Sequence, residues 1–287
     1  MKILVHDTGS AMVDLLELPL ADRPAALREM YEPLTVGWSV LGELDLVQMH
    51  RGFSGFKLDV DDPRFLPALK EMEDRKIWQQ LEDRLAEAGE QLRNFKHAET
   101  VHVVLVLGDP DDEHLTVRSA GYFGLGGFPG AIHLTMWPTE TSLRKIGYTA
   151  AHELHHNVRY ANVRWDPVAV TVGEQVVAEG LAEAFVRELF GEQAMGPWAA
   201  SVSDAVYEKV VAGIDVAGMQ NLNAYVLGDA AAELSGQKPV GLPDFAGYGA
   251  GLRIVDAHLA VSGVTAAQSV ALPAREILCN AGVPTNA

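Results

Sequence analysis

Cysteine is all but missing: Cys279 stands alone among 287 residues, so no disulfide can form within the chain. Basic residues are scarce as well. Twenty-two Lys and Arg (22) face 39 Asp and Glu, and the formal charge of -17 disfavours nucleic acid and anionic membranes as partners. No apolar run is long enough to cross a bilayer, and no basic segment backed by an apolar stretch opens the chain. Internal repeats and low-complexity tracts are absent too. Disorder does not follow from these gaps, because 48% of the residues are hydrophobic and the length suffices for a large core. The expectation is a reducing, cytoplasmic setting, with Cys279 buried as a small apolar residue.

What the chain does carry is His152-Glu153-Leu154-His155-His156, an H-E-x-x-H motif within a helical stretch. Residues i and i+4 share one helix face, so the imidazoles of His152 and His156 can grip one metal ion. Glu153 then sits beside that ion, where its carboxylate can take a proton from a coordinated water. Thr139 or Thr141 is placed to cap the helix, and Leu143, Ile146, Ala150, Leu154 and Val158 form its apolar stripe. Three histidines within five residues are unlike a solvated face, which favours Lys and Glu. His155 points to the flank, either beside the metal ligands and substrate or into the core. Arg159, two turns past His152, pairs with an acidic ligand, binds a substrate carboxylate or makes a surface salt bridge.

Two histidines leave zinc short of the three protein ligands it takes in catalytic sites. The H-x-x-G-x-x-H continuation fails, since position 159 is Arg and position 162 is Asn. A glutamate on a following helix is the other solution, and Ala178-Glu179-Gly180-Leu181-Ala182-Glu183 offers two. That helix is announced by Thr171-Val172-Gly173-Glu174, a capping box, and closed by Gly191. The connection from Tyr160 to Val170, which contains Asp166-Pro167, is short enough for the two helices to pack antiparallel. Glu179 is assigned to the metal, and Glu183 to the second ring N–H of His152, fixing its tautomer. The reverse assignment stays open, as do Asp166 and Glu174, which lie closer in sequence.

Around these helices the chain reads as α+β and predominantly helical. Residues 1–97 form a helical N-terminal region after an edge strand at Met1-Lys2-Ile3-Leu4-Val5, with one helix running from Asp62-Pro63 to Leu92. Residues 98–287 form the metal-binding domain, either separate from the first region or compact with it. Val101 to Leu107 is a buried β-run, Thr116 to Phe123 a second strand and Ile132 to Trp137 a third. As an edge, the third strand could pair its free N–H and C=O groups with an extended peptide. Arg118 and His133 are candidates to project near the site. The glycines from Gly121 to Gly130 do not make a phosphate loop, since a strand and not a helix follows them. They are read as a flexible rim over the cleft. After Gly191 the chain is helical again, broken from Gly236 to Pro243.

The run His152-Glu153-Leu154-His155-His156-Asn157-Val158-Arg159, followed by Ala178 to Glu183, resembles the bacterial "predicted Zn-dependent protease" family. That family is similar to the gluzincin metallopeptidases, of which thermolysin is the familiar member. Gly126-Gly127-Phe128-Pro129-Gly130, leading into Ala131 to Pro138, resembles the strand before the metal helix. Ala246-Gly247-Tyr248-Gly249-Ala250-Gly251 resembles the start of the family's C-terminal helix. The resemblance spans Val101 to Leu278. It implies a zincin-like small sheet ahead of the metal helices, a Zn2+ cofactor, and hydrolysis of a peptide or protein substrate with Glu153 as general base. Gluzincins draw a hydrogen-bond donor for the tetrahedral oxyanion from the C-terminal half. Tyr248 is the candidate here and His258 the next. Two other readings keep the fold: a non-catalytic, metal-stabilised scaffold or regulator, against which an intact Glu153 argues, and a zinc hydrolase of non-peptide amides or esters.

Overall fold

A four-stranded sheet organises the first unit of the chain, Met1–Val158, in a computed structural model that describes residues 1–166 and 168–285. Its strands are β1 (Lys2–Val5), β2 (Thr100–Leu107), β3 (Tyr122–Phe128) and β4 (Ala131–Met136), in the order β1-β2-β4-β3. β1, β2 and β4 run parallel, and β3 returns antiparallel to β4. The β-branched run in β2 suits an interior strand, and Val103 to Leu107 are all buried. β4 lies between β2 and β3 and is buried along its whole length. The strand expected as an edge is therefore interior, and the glycine run expected as a flexible rim is largely the edge strand itself. The segment expected as the second strand differs too. His114–Arg118 is a helical turn, wound by Asp112, whose carboxylate accepts from His114 N–H and whose carbonyl accepts from the Thr116 hydroxyl. Arg118 at its end is exposed.

Parallel β1 and β2 need a crossover. It is built from α1 (Thr8–Glu17), α2 (Arg23–Tyr31), α3 (Thr35–Trp38), α4 (Leu46–Gly52), α5 (Phe65–Asp74) and α6 (Ile77–Leu92). The helix expected from Asp62 to Leu92 is thus two. Apolar residues continue on both sides of the break, but the step from Met72 to Ile77 is longer than helical spacing allows, and Lys76 takes a φ of 54°, a left-handed backbone that stops the first helix. α6 then buries Ile77, Leu81, Leu85, Ala88 and Leu92 on one face. α7 (Ser142–Asn162) follows β4, and the division between the units falls within it, after Val158. The boundary expected at residues 97 and 98 lies inside the first unit, just ahead of β2.

The second unit, Arg159–Ala287, is helical: α8 (Val172–Phe190), α9 (Asp204–Ala212), α10 (Met219–Val226), α11 (Asp229–Leu234), α12 (Ala246–Ser262) and α13 (Ala274–Asn280). The capping box forms at the start of α8. The Thr171 hydroxyl accepts from Glu174 N–H at 3.1 Å while the Glu174 carboxylate accepts from Thr171 N–H at 2.7 Å. Gly191 ends the helix with a φ of 84°. α8 and α12 meet at two glycines. A Cβ on Gly251 would lie 2.1 Å from the Val176 carbonyl oxygen, and one on Gly180 would lie 2.3 Å from the Gly251 carbonyl. Cys279, expected to be buried, is exposed on α13, where Ile277 and Leu278 take the buried face. Pro167 of the expected connection between α7 and α8 lies outside the described residues. The chain as a whole is α+β and predominantly helical. Among the described residues no helix is long and apolar enough to cross a membrane.

A polar group is folded into the core of the first unit. The Phe56 carbonyl can only accept, so His50 donates to it from Nε2 (2.8 Å) and accepts from the Tyr31 hydroxyl at Nδ1 (2.9 Å). Tyr31 in turn accepts from His133 Nε2 at 3.0 Å. His133, expected near the site, is thus a core residue. All three side chains are buried. Burial pushes His50 down to about 4, against its bond to Phe56 and helped by Arg51, and pushes His133 down to about 3, helped by His50. An unfolded histidine titrates near 6.5, so the unfolded chain takes up these protons first on acidification. Stability is therefore full above pH 6.5 and falls below it by about 1.4 kcal/mol per pH unit per histidine until the folded-state values are reached.

Two outcomes are expected. The urea midpoint falls between pH 6.5 and 4.5, and falls less steeply in His133→Gln; an unaltered slope would remove His133 from this account. Gly251→Ala forces α12 off the Val176 carbonyl and lowers stability by about 1–3 kcal/mol, read as a drop in Tm.

Candidate metal centre

α7 carries the H-E-x-x-H motif in a stretch that has no solvated face. From Ala150 to Arg159 every residue is buried, and His152, Glu153 and His156 are only 4%, 6% and 5% exposed. Thr139 helps to start the helix, its hydroxyl accepting from Ser142 N–H at 3.1 Å. Two devices then hold it to the sheet. Asn157 donates from Nδ2 to the carbonyls of Gly126, Phe128 and Ala131 (3.1, 2.8 and 2.9 Å) and accepts from Gly130 N–H at 2.9 Å. Gly124 and Gly126, two apart and so on one face of β3, leave room for the helix itself. A Cβ on Gly126 would lie 2.2 Å from the Glu153 carbonyl oxygen, and one on Gly124 would lie 2.5 Å from Glu153 Cγ. The Glu153 side chain thus occupies space that only glycine leaves open. Sequence reasoning missed both roles; the available signal was the i, i+2 spacing of glycines within a β-prone run.

His152 Nε2 and His156 Nε2 stand 2.9 Å apart, with ring centroids at 4.6 Å. Glu179 on α8 joins them: one ligand atom from each of the three residues lies within 4.8 Å of the others, and all three are buried. The donor set fits zinc. Two nitrogens bound tetrahedrally at about 2.0–2.1 Å are held roughly 3.3 Å apart, near the spacing observed. Two imidazoles and one carboxylate also leave a fourth place for water, the pattern of catalytic sites. Glu179 Oε1 accepts from Gln175 Nε2 at 2.9 Å, and Gln175 Oε1 accepts from the Tyr160 hydroxyl at 3.4 Å. Gln175 was not read from the sequence, although it stands one helical turn before Glu179, where such a pair meets.

The surroundings of the other expected site residues vary. Glu183 is buried, with Oε1 accepting from Trp198 Nε1 at 2.7 Å and Oε2 from Gly196 N–H at 3.1 Å. Tyr248 is half-buried, its ring 6.2 Å from that of Trp198 and 5.7 Å from that of Phe245. His258 is a core residue: Nδ1 accepts from Asn280 Nδ2 and Nε2 donates to the Ser269 hydroxyl. His155 is fully buried. Arg159 makes no surface salt bridge; it is 2% exposed and donates to the carbonyls of Val270 and Leu272. Asp166 accepts from Val168 N–H, and Glu174 serves the capping box.

A family model described as "Predicted Zn-dependent protease (DUF2268)" matches residues 81–279. The uncharacterised protein YjfC of Bacillus subtilis (strain 168) is 37% identical over 198 residues, 68% of this chain and 64% of that protein. The chain thus spans a little under two thirds of that relative's length. No solved structure matches it. Both helices that carry His152, His156 and Glu179 and the glycine-bearing edge strand fall inside the matched range, and this chain belongs to the family of predicted Zn-dependent proteases.

Proposed function

We propose that this chain is a zinc-dependent metallopeptidase of gluzincin type, with His152, His156 and Glu179 as zinc ligands and Glu153 as general base. One observation carries this reading: three ligand atoms converge within 4.8 Å, drawn from the two helices bearing H-E-x-x-H and Glu179. Zinc held there would acidify a water molecule and polarise a substrate carbonyl. The chain's own residues do the rest. Glu153, over Gly124, accepts a proton as the water oxygen bonds to the carbonyl carbon. It delivers that proton to the amide nitrogen as the C–N bond breaks. Gln175 restrains the Glu179 carboxylate, and Tyr248 donates to the carbonyl oxygen as charge builds there.

A peptide is the substrate that suits the sheet. β4 is enclosed, so an extended chain would add to the free edge of β3, whose N–H and C=O groups lie in the plane of the sheet. A reducing, cytoplasmic setting belongs to the same reading, since the chain's single cysteine is exposed and unpaired.

Digestion of a peptide library with and without chelator, beside zinc analysis, tests this. Glu153→Gln is expected to keep its zinc and lose roughly 10²–10⁴ in kcat. Tyr248→Phe should lower kcat by roughly 10²–10³ with little change in KM. Glu179→Ala should lose zinc, and unchanged zinc there would move the third ligand to Glu183. Full zinc content without chelator-sensitive cleavage would sink the hydrolytic reading.

A further inference from the structure

A cleft of about 490 Å³ in the second unit opens beside the end of α7, and Arg159, Tyr160, Arg164, Trp165, Glu174 and Arg275 are among the residues that line it. Arg159 is unusual among them. The residue is 2% exposed, yet its two protein bonds both leave from Nη1, to the carbonyls of Val270 (3.0 Å) and Leu272 (3.1 Å). A guanidinium has five N–H donors. The edge formed by Nε and Nη2, the fork that matches a carboxylate, has no protein acceptor, and no carboxylate pairs with Arg159 among the described residues. Burial lowers its pKa to about 10, partly offset by Tyr160 and Glu174, so it is charged at neutral pH.

A buried charge without a counter-charge is costly, and proteins avoid it unless something supplies the missing partner. Acids are abundant in a chain with 39 Asp and Glu, so the lack of one beside Arg159 is not for want of supply. Glu174 reaches the cleft wall, but its carboxylate is committed to Thr171 N–H at 2.7 Å. Asp215 also lines the cleft, against three arginines. Arg164 and Arg275 are exposed; Arg164 has Asp166 4.0 Å away, and Arg275 has no ion pair among the described residues. The rings of Tyr160 and Trp165 meet edge-on, with centroids 6.2 Å apart, as an aromatic wall. The same Tyr160 bonds Gln175, which bonds Glu179, so this wall is two hydrogen bonds from a metal ligand.

We propose that this cleft seats a carboxylate of the bound peptide, received by Arg159, with Arg164 and Arg275 at its rim and Tyr160 and Trp165 against the neighbouring side chain. The inference deepens the peptidase reading and rests on it for the identity of the ligand. The carboxylate belongs either to the peptide C-terminus or to an acidic side chain; both have the chemistry the fork accepts.

Calorimetric titration of the full chain carrying Glu153→Gln, which consumes no probe, tests the proposal. Three probes are compared: N-acetyl-Ala-Phe as the free acid, its C-terminal amide, and N-acetyl-Asp-Phe amide. The free acid or the aspartyl amide is expected to bind at least tenfold more tightly than the neutral amide. Whichever does so identifies the source of the carboxylate. Arg159→Gln should reduce that preference below twofold, with thermal melting confirming that the variant folds. Arg159 also holds two backbone carbonyls, so Arg164→Ala/Arg275→Ala, at exposed positions, gives an independent arm. It should weaken the acidic probe about threefold and leave the neutral one unchanged. Equal binding of all three probes overturns the proposal, as does a preference that survives both sets of substitutions. Binding is read here without turnover, so a failure of peptide cleavage is scored separately from a failure of this site.

Discussion

A helix backbone resting directly on two glycines of one strand is the constraint on which the rest of the first unit depends. At Gly126 the Glu153 carbonyl occupies the place of a Cβ, and at Gly124 the Glu153 side chain does so. That closeness lets one asparagine, Asn157, reach three carbonyls and an N–H around the β3–β4 turn. With the helix so near the sheet, the motif residues lose water on every side. Charges and dipoles act far more strongly in such surroundings than in solvent, which is the setting that proton transfer and metal ligation need.

Polar groups buried in this way are costly unless they are satisfied, and several of them are answered by specific partners. Glu183 takes two N–H donors from the Gly196–Trp198 segment, and His258 is held at both ring nitrogens. Tyr31 links two histidines whose protons are ordered by a single carbonyl. Arg159 differs from these in carrying a full charge whose Nε–Nη2 edge has no protein acceptor, and for that reason it reads as recognition and not as architecture.

Much of this was legible in the sequence. The helical spacing around H-E-x-x-H, the Thr171–Glu174 box, Gly191 and the β-run of β2 are local signals whose physics acts within a few residues, and the helices and the strand form where they place them. What failed depended on distant partners. Residues 131–136 have strand character whether interior or at an edge, and only the arrival of β3 encloses them. The Gly121–Gly130 cluster looked like loop because its purpose, admitting α7, involves residues some thirty positions on. The break at Lys76 leaves only a faint sign, the long step from Met72 to Ile77 between two well-spaced apolar stripes. Cys279 was misjudged, and of the settings open to Arg159 the surface salt bridge fails, since exposure on a short amphipathic helix and burial of a charge are both decided by packing, not by residue type.

Glu179 is the residue immediately before Gly180, one half of the glycine pair at which α8 meets α12. Main chain touches main chain there, so the placement of α8 depends on no side-chain volume at that point. Exchanges of one apolar residue for another elsewhere along the two helices can be taken up locally, without displacing the carboxylate next to the junction. The second unit can therefore drift in composition, and diversify what it presents to solvent, while the Glu179 carboxylate keeps its place beside α12.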